Sequence, residues 1–153
     1  MEITLTIDRK AVYSEVEKTT NYTGKKMEDA DGKAYERVST TDEDEDLLQR
    51  FWDETRAEVA QTLMSVLQGE TMLNEQYNLT LKVSVAFNQA LLPSMKLNLF
   101  SYFVQNILAK WFVLANKAEA GEYADKAATL IEDVRQKAFF KKRPTRPVYN
   151  SKP

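Results

Sequence analysis

The chain has 153 residues, a formal net charge of −2, and neither cysteine nor histidine. The two absences exclude thiolate or imidazole zinc sites, iron–sulfur clusters, His-ligated haem, and Ser–His–Asp or Cys–His nucleophiles. What is left is one domain of ordinary size, able to bury about 70% of its unfolded surface without a metal or disulfide.

The small net charge hides an asymmetry. Positions 137–153 carry six Lys/Arg and no acid, whereas positions 1–136 carry 15 basic against 23 acidic side chains, a net of −8. An acidic body with a basic end reads as a solvated domain plus an interaction arm. A duplex-binding protein would be basic over a whole face instead. Met1-Glu2 leads directly into alternating residues, without the basic and apolar regions of a secretory signal, so synthesis in the cytosol is expected.

In chain order, Glu2-Ile3-Thr4-Leu5-Thr6-Ile7 alternates with period two and predicts a half-buried strand. Asp8 is placed to cap a short helix with Val12 and Val16 on one face, expected to fail at Asn21-Tyr22-Thr23-Gly24. Residues 21–40 read as a loop with a turn at Asp31-Gly32 and apolar anchors at Tyr35 and Val38. Thr41 then caps the best-marked helix. Asp42 to Asp46 fill its first turn, Leu47, Leu48, Phe51, Trp52, Val59, Leu63, Val66 and Leu67 form its stripe, and Gly69 ends it.

Tyr77 to Phe87 alternates strictly and predicts an eleven-residue strand burying Tyr77, Leu79, Leu81, Val83, Val85 and Phe87. Pro93 suits the first turn of a third helix reaching about Ala115. That helix is apolar on most sides. Lys96 and Lys110 bracket only thirteen residues, against the roughly 20 a bilayer requires, so it reads as a central core helix. A fourth helix starts near Ala118–Gly121, carries Tyr123, Ala127, Leu130, Ile131 and Val134, and ends around Phe139. The expected class is mainly α with a minor β component. It would be a bundle of three long helices and one short helix plus two strands, with residues 1–140 as the domain and 141–153 as an extended tail. Two strands alone are marginal in water. Left as an edge, the strand at 77–87 would template association between copies.

Most candidate sites reduce to structure. Asp42, Asp44 and Asp46 have calcium-loop spacing, but Leu47 and Asp53 stand where that loop needs Gly and Glu. The run is better explained as helix N-terminal charge, with an acidic rim for a basic partner as its residual role. Asp53 with Glu54 and Glu132 with Asp133 point to different helical faces, which suits paired acid–base work poorly. The four glycines are isolated, so no phosphate loop is present. Trp52 and Trp111 fit a core. No cofactor and no metal site is expected. The positive signal is the tail, where Phe139, Phe140, Lys141, Lys142, Arg143, Pro144, Arg146, Pro147 and Tyr149 combine aromatic anchors, charge and helix-forbidding prolines. These residues are the candidate partner-binding set.

The segment Thr40-Thr41-Asp42-Glu43-Asp44, running into Leu47-Leu48-x-x-Phe51-Trp52 and Ala57-Glu58-Val59, resembles the opening helix of head–tail connector (adaptor) proteins of tailed bacteriophages. The Leu91-Leu92-Pro93 start of an apolar helix, followed by a final helix, is similar to their later half. The resemblance spans residues 40–140, and the strands at 2–7 and 77–87 depart from the all-helical members. It implies a non-enzymatic virion protein forming an oligomeric ring, typically of twelve copies. Such a ring sits in the neck between the portal and the tail components and continues the DNA channel, which DNA traverses without specific binding. It also implies that the tail residues contact a neighbouring subunit or the portal. An acidic body suits a channel through which DNA must slide. Two other classes compete: a cellular helical binding module docking one partner through the same tail, and an enzyme with carboxylate-held Mg²⁺. The enzyme is disfavoured by the 43 residues from Gln76 to Ala118 that contain no acid.

Overall fold

The structure is a computed structural model describing residues 1–26 and 40–147. Strand β1 (Glu2–Asp8) leads into helix α1 (Arg9–Lys26). A 3-10 turn (Asp42–Asp44) precedes α2 (Glu45–Thr62), and a hairpin follows from β2 (Leu67–Leu73) and β3 (Gln76–Lys82). A second 3-10 turn (Gln89–Leu91) opens α3 (Leu92–Ala115), and α4 (Lys117–Phe139) completes an antiparallel helical hairpin with it. Helix makes up 66% of the described residues, so the mainly-α expectation with a minor sheet holds.

The sheet is antiparallel in the order β1-β3-β2, with Ile3 opposite Leu81 and Ile7 opposite Tyr77. One face buries Ile3, Leu5, Ile7, Tyr77, Leu79 and Leu81, as the alternation predicts. The other carries polar side chains, where Thr6 Oγ1 donates to Asn78 Oδ1 at 2.7 Å. At the centre of the core, Trp52 from α2 lies 4.6 Å from Phe103 of α3 and 6.1 Å from Tyr77 of β3, centroid to centroid. As expected, α3 is the central helix, buried from Met95 to Phe112 along most of its circumference.

Four expectations need correction. Helix α1 does not fail at Asn21 but runs on to Lys26, because Val12, Val16, Thr20 and Gly24 form a buried stripe at i, i+4 spacing. Packing along it outweighs the roughly 1 kcal/mol that glycine costs in a helix. The turn and anchors expected at Asp31-Gly32, Tyr35 and Val38 lie outside the described residues. Thr41 does not cap α2 with its side chain. Its N–H and hydroxyl instead donate to Asp44 Oδ2, at 2.8 and 3.2 Å, and Glu45 and Asp46 occupy the first helical turn.

Helix α2 ends at Thr62, and the chain turns through Leu63–Val66 into a strand that the helical reading missed. Leu63, Val66 and Leu67 fit a helical stripe, but Leu67 pairs with Leu81, and Gly69 sits at the irregular register opposite Thr80. The sheet therefore has three strands, and β3 is its centre rather than an edge open to another copy. Finally, β3 stops at Lys82, with the Val83 N–H still donating to Met1 O at 2.8 Å. Ser84 then turns the chain, its Oγ accepting from Ala86 N–H at 3.1 Å and its carbonyl from Phe87 N–H at 3.0 Å. Val85, expected on the buried face, is 90% exposed, while Phe87 returns to the core.

Candidate interaction surface

Helix α4 ends shortly before the stretch that carries Pro144 and Pro147. Phe140 adopts extended geometry (φ −68°, ψ 131°), and its N–H still reaches Lys137 O at 3.2 Å. The next two residues are not loose. Lys141 forms a bridge with Phe87, and Lys142 N–H donates to Ala86 O at 2.8 Å. The arm is thus fastened by its root to the turn that leaves β3.

Beyond the bridge, Lys141, Lys142, Arg143, Pro144, Arg146 and Pro147 are all exposed. Pro144 and Pro147 lack an N–H and hold the chain extended. Tyr149 lies outside the described residues. The two aromatic anchors part company. Phe139 is 44% exposed, with the Arg135 guanidinium 6.0 Å from its ring centroid. Phe140 is 51% exposed and lines a cleft of about 280 Å³ with Leu91, Asn88, Asp133, Gln136 and Lys137. Lys137 Nζ also donates to Ser94 Oγ, tying α4 to the start of α3. Charge, exposed aromatic surface and an extended backbone therefore meet at one end of the α3–α4 hairpin. Sequence reasoning found the tail but missed Val85 and Ala86, because strict alternation gives no sign that Ser84 ends the strand.

Of the carboxylates considered for chemistry, Asp53, Glu54 and Glu132 are engaged elsewhere, while Asp133 lines the Phe140 cleft. Glu54 bonds Arg50 at 3.2 Å and Lys110 at 3.3 Å. Burial works to raise its carboxyl pKa, yet these cations hold it below the usual carboxylate range. Glu58 accepts from Tyr102 Oη (3.2 Å), Asn106 Nδ2 (2.7 Å) and Lys110 Nζ (2.8 Å), joining α2 to α3. Burial and then the Glu58 charge push the Tyr102 hydroxyl pKa up, so it remains a donor. Asp53 accepts from Gln49, and Glu132 pairs with Arg135. Among the described residues, no three or more Asp/Glu converge to hold a metal ion, and no helix is long and apolar enough to cross a membrane.

A second surface lies near the start of α2. Tyr13, Glu17, Thr40, Thr41, Glu45 and Leu48 line a cleft of about 170 Å³. Arg9 builds its surroundings by gripping Glu75 with two nitrogens, at 2.7 and 2.9 Å, and Gln49 with a third at 2.8 Å. The hydrogen bond from Arg9 holds the Glu75 carboxyl below its usual range, and burial pushes Tyr13 up to about 12. The Glu17 and Glu45 carboxylates make no ion pair among the described residues.

Comparison of the chain with known protein families, with characterised proteins and with solved structures finds no match.

Proposed function

We propose that this protein is a non-enzymatic structural component of a tailed-phage virion. Its copies form an oligomeric ring in the neck, a head–tail connector that joins the portal to the tail components and continues the DNA channel. The observation that carries this reading is the arm. A basic, proline-stiffened segment leaves the body from a hydrogen-bonded root and exposes all of residues 141–147.

A chain that keeps such a segment off its own surface presents it to something else. Arginine and lysine on an extended backbone favour acidic protein surface, where charge-assisted hydrogen bonds form. Phe139 and Phe140 supply the apolar contact that typically dominates an interface. The partners in this reading are further copies of the chain, the portal, and the next neck or tail protein. DNA passes through without being bound, and no membrane takes part.

The test is truncation. Removing residues 141–153 leaves the domain folded by far-ultraviolet circular dichroism but abolishes its incorporation into virions, read by mass spectrometry of purified particles. Normal incorporation of the shortened chain overturns the reading.

A further inference from the structure

The α1–α2 cleft and the arm sit at opposite ends of the body. The arm leaves beside Val83–Phe87, past the Lys82 end of β3. The cleft belongs to the other end, where Gln76 pairs with Asp8 and Arg9 and Tyr13 hold Gln49 of α2. The seven residues of β3 alone separate the two by about 20 Å. Helix α1 then continues away from the arm: Thr19, Tyr22 and Lys26 line a groove with Glu119 and Tyr123 at the start of α4, whose far end carries the arm.

The two ends are also unlike in chemistry. One offers Lys141, Lys142, Arg143 and Arg146 on an extended backbone. The other offers Glu17 and Glu45 around a floor of Tyr13 and Leu48, with Glu43 and Asp46 exposed beside it. The carboxylates of Glu17, Glu43, Glu45 and Asp46 make no ion pair among the described residues, so this end carries an excess of negative charge opposite in sign to the arm.

We infer that the acceptor of the arm is the Glu17/Glu45 cleft of a second copy of this chain. Lys141 and Lys142 are fastened at the root, and the four residues from Arg143 to Arg146 extend only about 14 Å, less than the roughly 20 Å that separates the root from the arm's own cleft. Unlike patches at opposite ends of one subunit make a heterologous, head-to-tail contact, which closes into a ring when the rotation between copies allows it. The inference rests on the arm being the docking element of the ring, and it names the surface that receives it.

The test is carbodiimide cross-linking, which joins a lysine amine to a carboxylate only where the two touch. An equal mixture of the full chain in ¹⁴N and ¹⁵N forms is cross-linked and digested. The expected products are isotopically mixed peptides joining Lys141 or Lys142 to Glu17 or Glu45. They disappear in about 1 M salt, where the screening length falls to about 3 Å. Glu17→Lys with Glu45→Lys weakens association between copies roughly tenfold, read by light scattering, the effect of setting like charges against each other across an interface. Lys141→Glu with Lys142→Glu and Arg143→Glu in the other copy restores its association with that variant, read by light scattering. All these positions are exposed, and circular dichroism checks that each variant folds.

Cross-links confined to one chain, cross-links between copies at other carboxylates, no cross-links at all, or failure of the charge swap to restore association each overturn the inference. If the shortened chain is also excluded from virions, the proposed function stands and the arm binds a different acceptor. If the shortened chain is incorporated normally, the functional reading itself falls.

Discussion

Replacing Trp52 with alanine should come close to unfolding this protein, and the size of the effect follows from its neighbours. The side chain is 1% exposed and touches three rings, those of Phe103, Tyr77 and Tyr13, with centroids 4.6, 6.1 and 6.3 Å away. An aromatic side chain of this kind buries about 200 Å². At about 25 cal/mol per Å² that is roughly 5 kcal/mol, of which the alanine methyl keeps a small part. Measured aromatic truncations, cavity cost included, fall at about 3–5 kcal/mol. We expect a loss of about 4 kcal/mol, a large share of the 5–15 kcal/mol about which such domains are stable. Trp52→Phe preserves a ring against Phe103 and Tyr77 and should cost about half as much. Guanidinium unfolding followed by far-ultraviolet circular dichroism gives both values, with the buried Trp111 as an independent fluorescent reporter. A loss under about 1 kcal/mol for Trp52→Ala, or equal losses for the two variants, would refute the claim that this ring joins α2, α3 and the sheet.

Two other predictions concern the polar contacts between elements. Glu58→Ala removes the acceptor shared by Tyr102, Asn106 and Lys110 and should cost about 2 kcal/mol, because the buried Tyr102 hydroxyl loses its partner. Glu58→Gln keeps an acceptor oxygen and should cost clearly less; equal urea midpoints for the two variants would show that the network does not hold the helices together. The second prediction is acid sensitivity. Glu75 and Glu54 have folded pKa values lowered from 4.5. Their contribution is therefore complete above the unfolded pKa and is lost as pH falls through the folded one. Thermal midpoints should drop between about pH 5 and pH 3, and Glu75→Gln with Glu54→Gln should flatten that drop. A wild-type midpoint that stays level over this window contradicts the sign of both shifts.

Periodicity exposed most of this fold because the core uses it honestly. Ile3, Leu5 and Ile7 alternate into one face, and Met95 to Phe112 wrap a helix that is buried nearly all round. It failed where two periods coincide. Leu63, Val66 and Leu67 satisfy a helical stripe and also suit a turn followed by a strand, and what decides between them is pairing with Leu81, a residue fourteen positions beyond Leu67. It failed again at Ser84, since a side chain that closes a turn by accepting from Ala86 leaves the hydrophobic pattern unbroken. The arm was legible from composition alone. Its root was not, because the bond from Lys142 to Ala86 joins positions 56 residues apart. The cleft at Tyr13, Glu17 and Glu45 depends on two helices meeting, and no local spacing announces it.

The root of the arm has a mechanical consequence. Tension applied to residues 143–147 does not reach α4 by the covalent path alone. The Lys142–Ala86 hydrogen bond and the seated ring of Phe87 divert part of it into the turn after β3, the strand held from both sides by β1 and β2. A pull on the tail is thus shared between the end of a helix and the middle of a sheet. Peeling the last turn of α4 from α3 requires this clasp to open first.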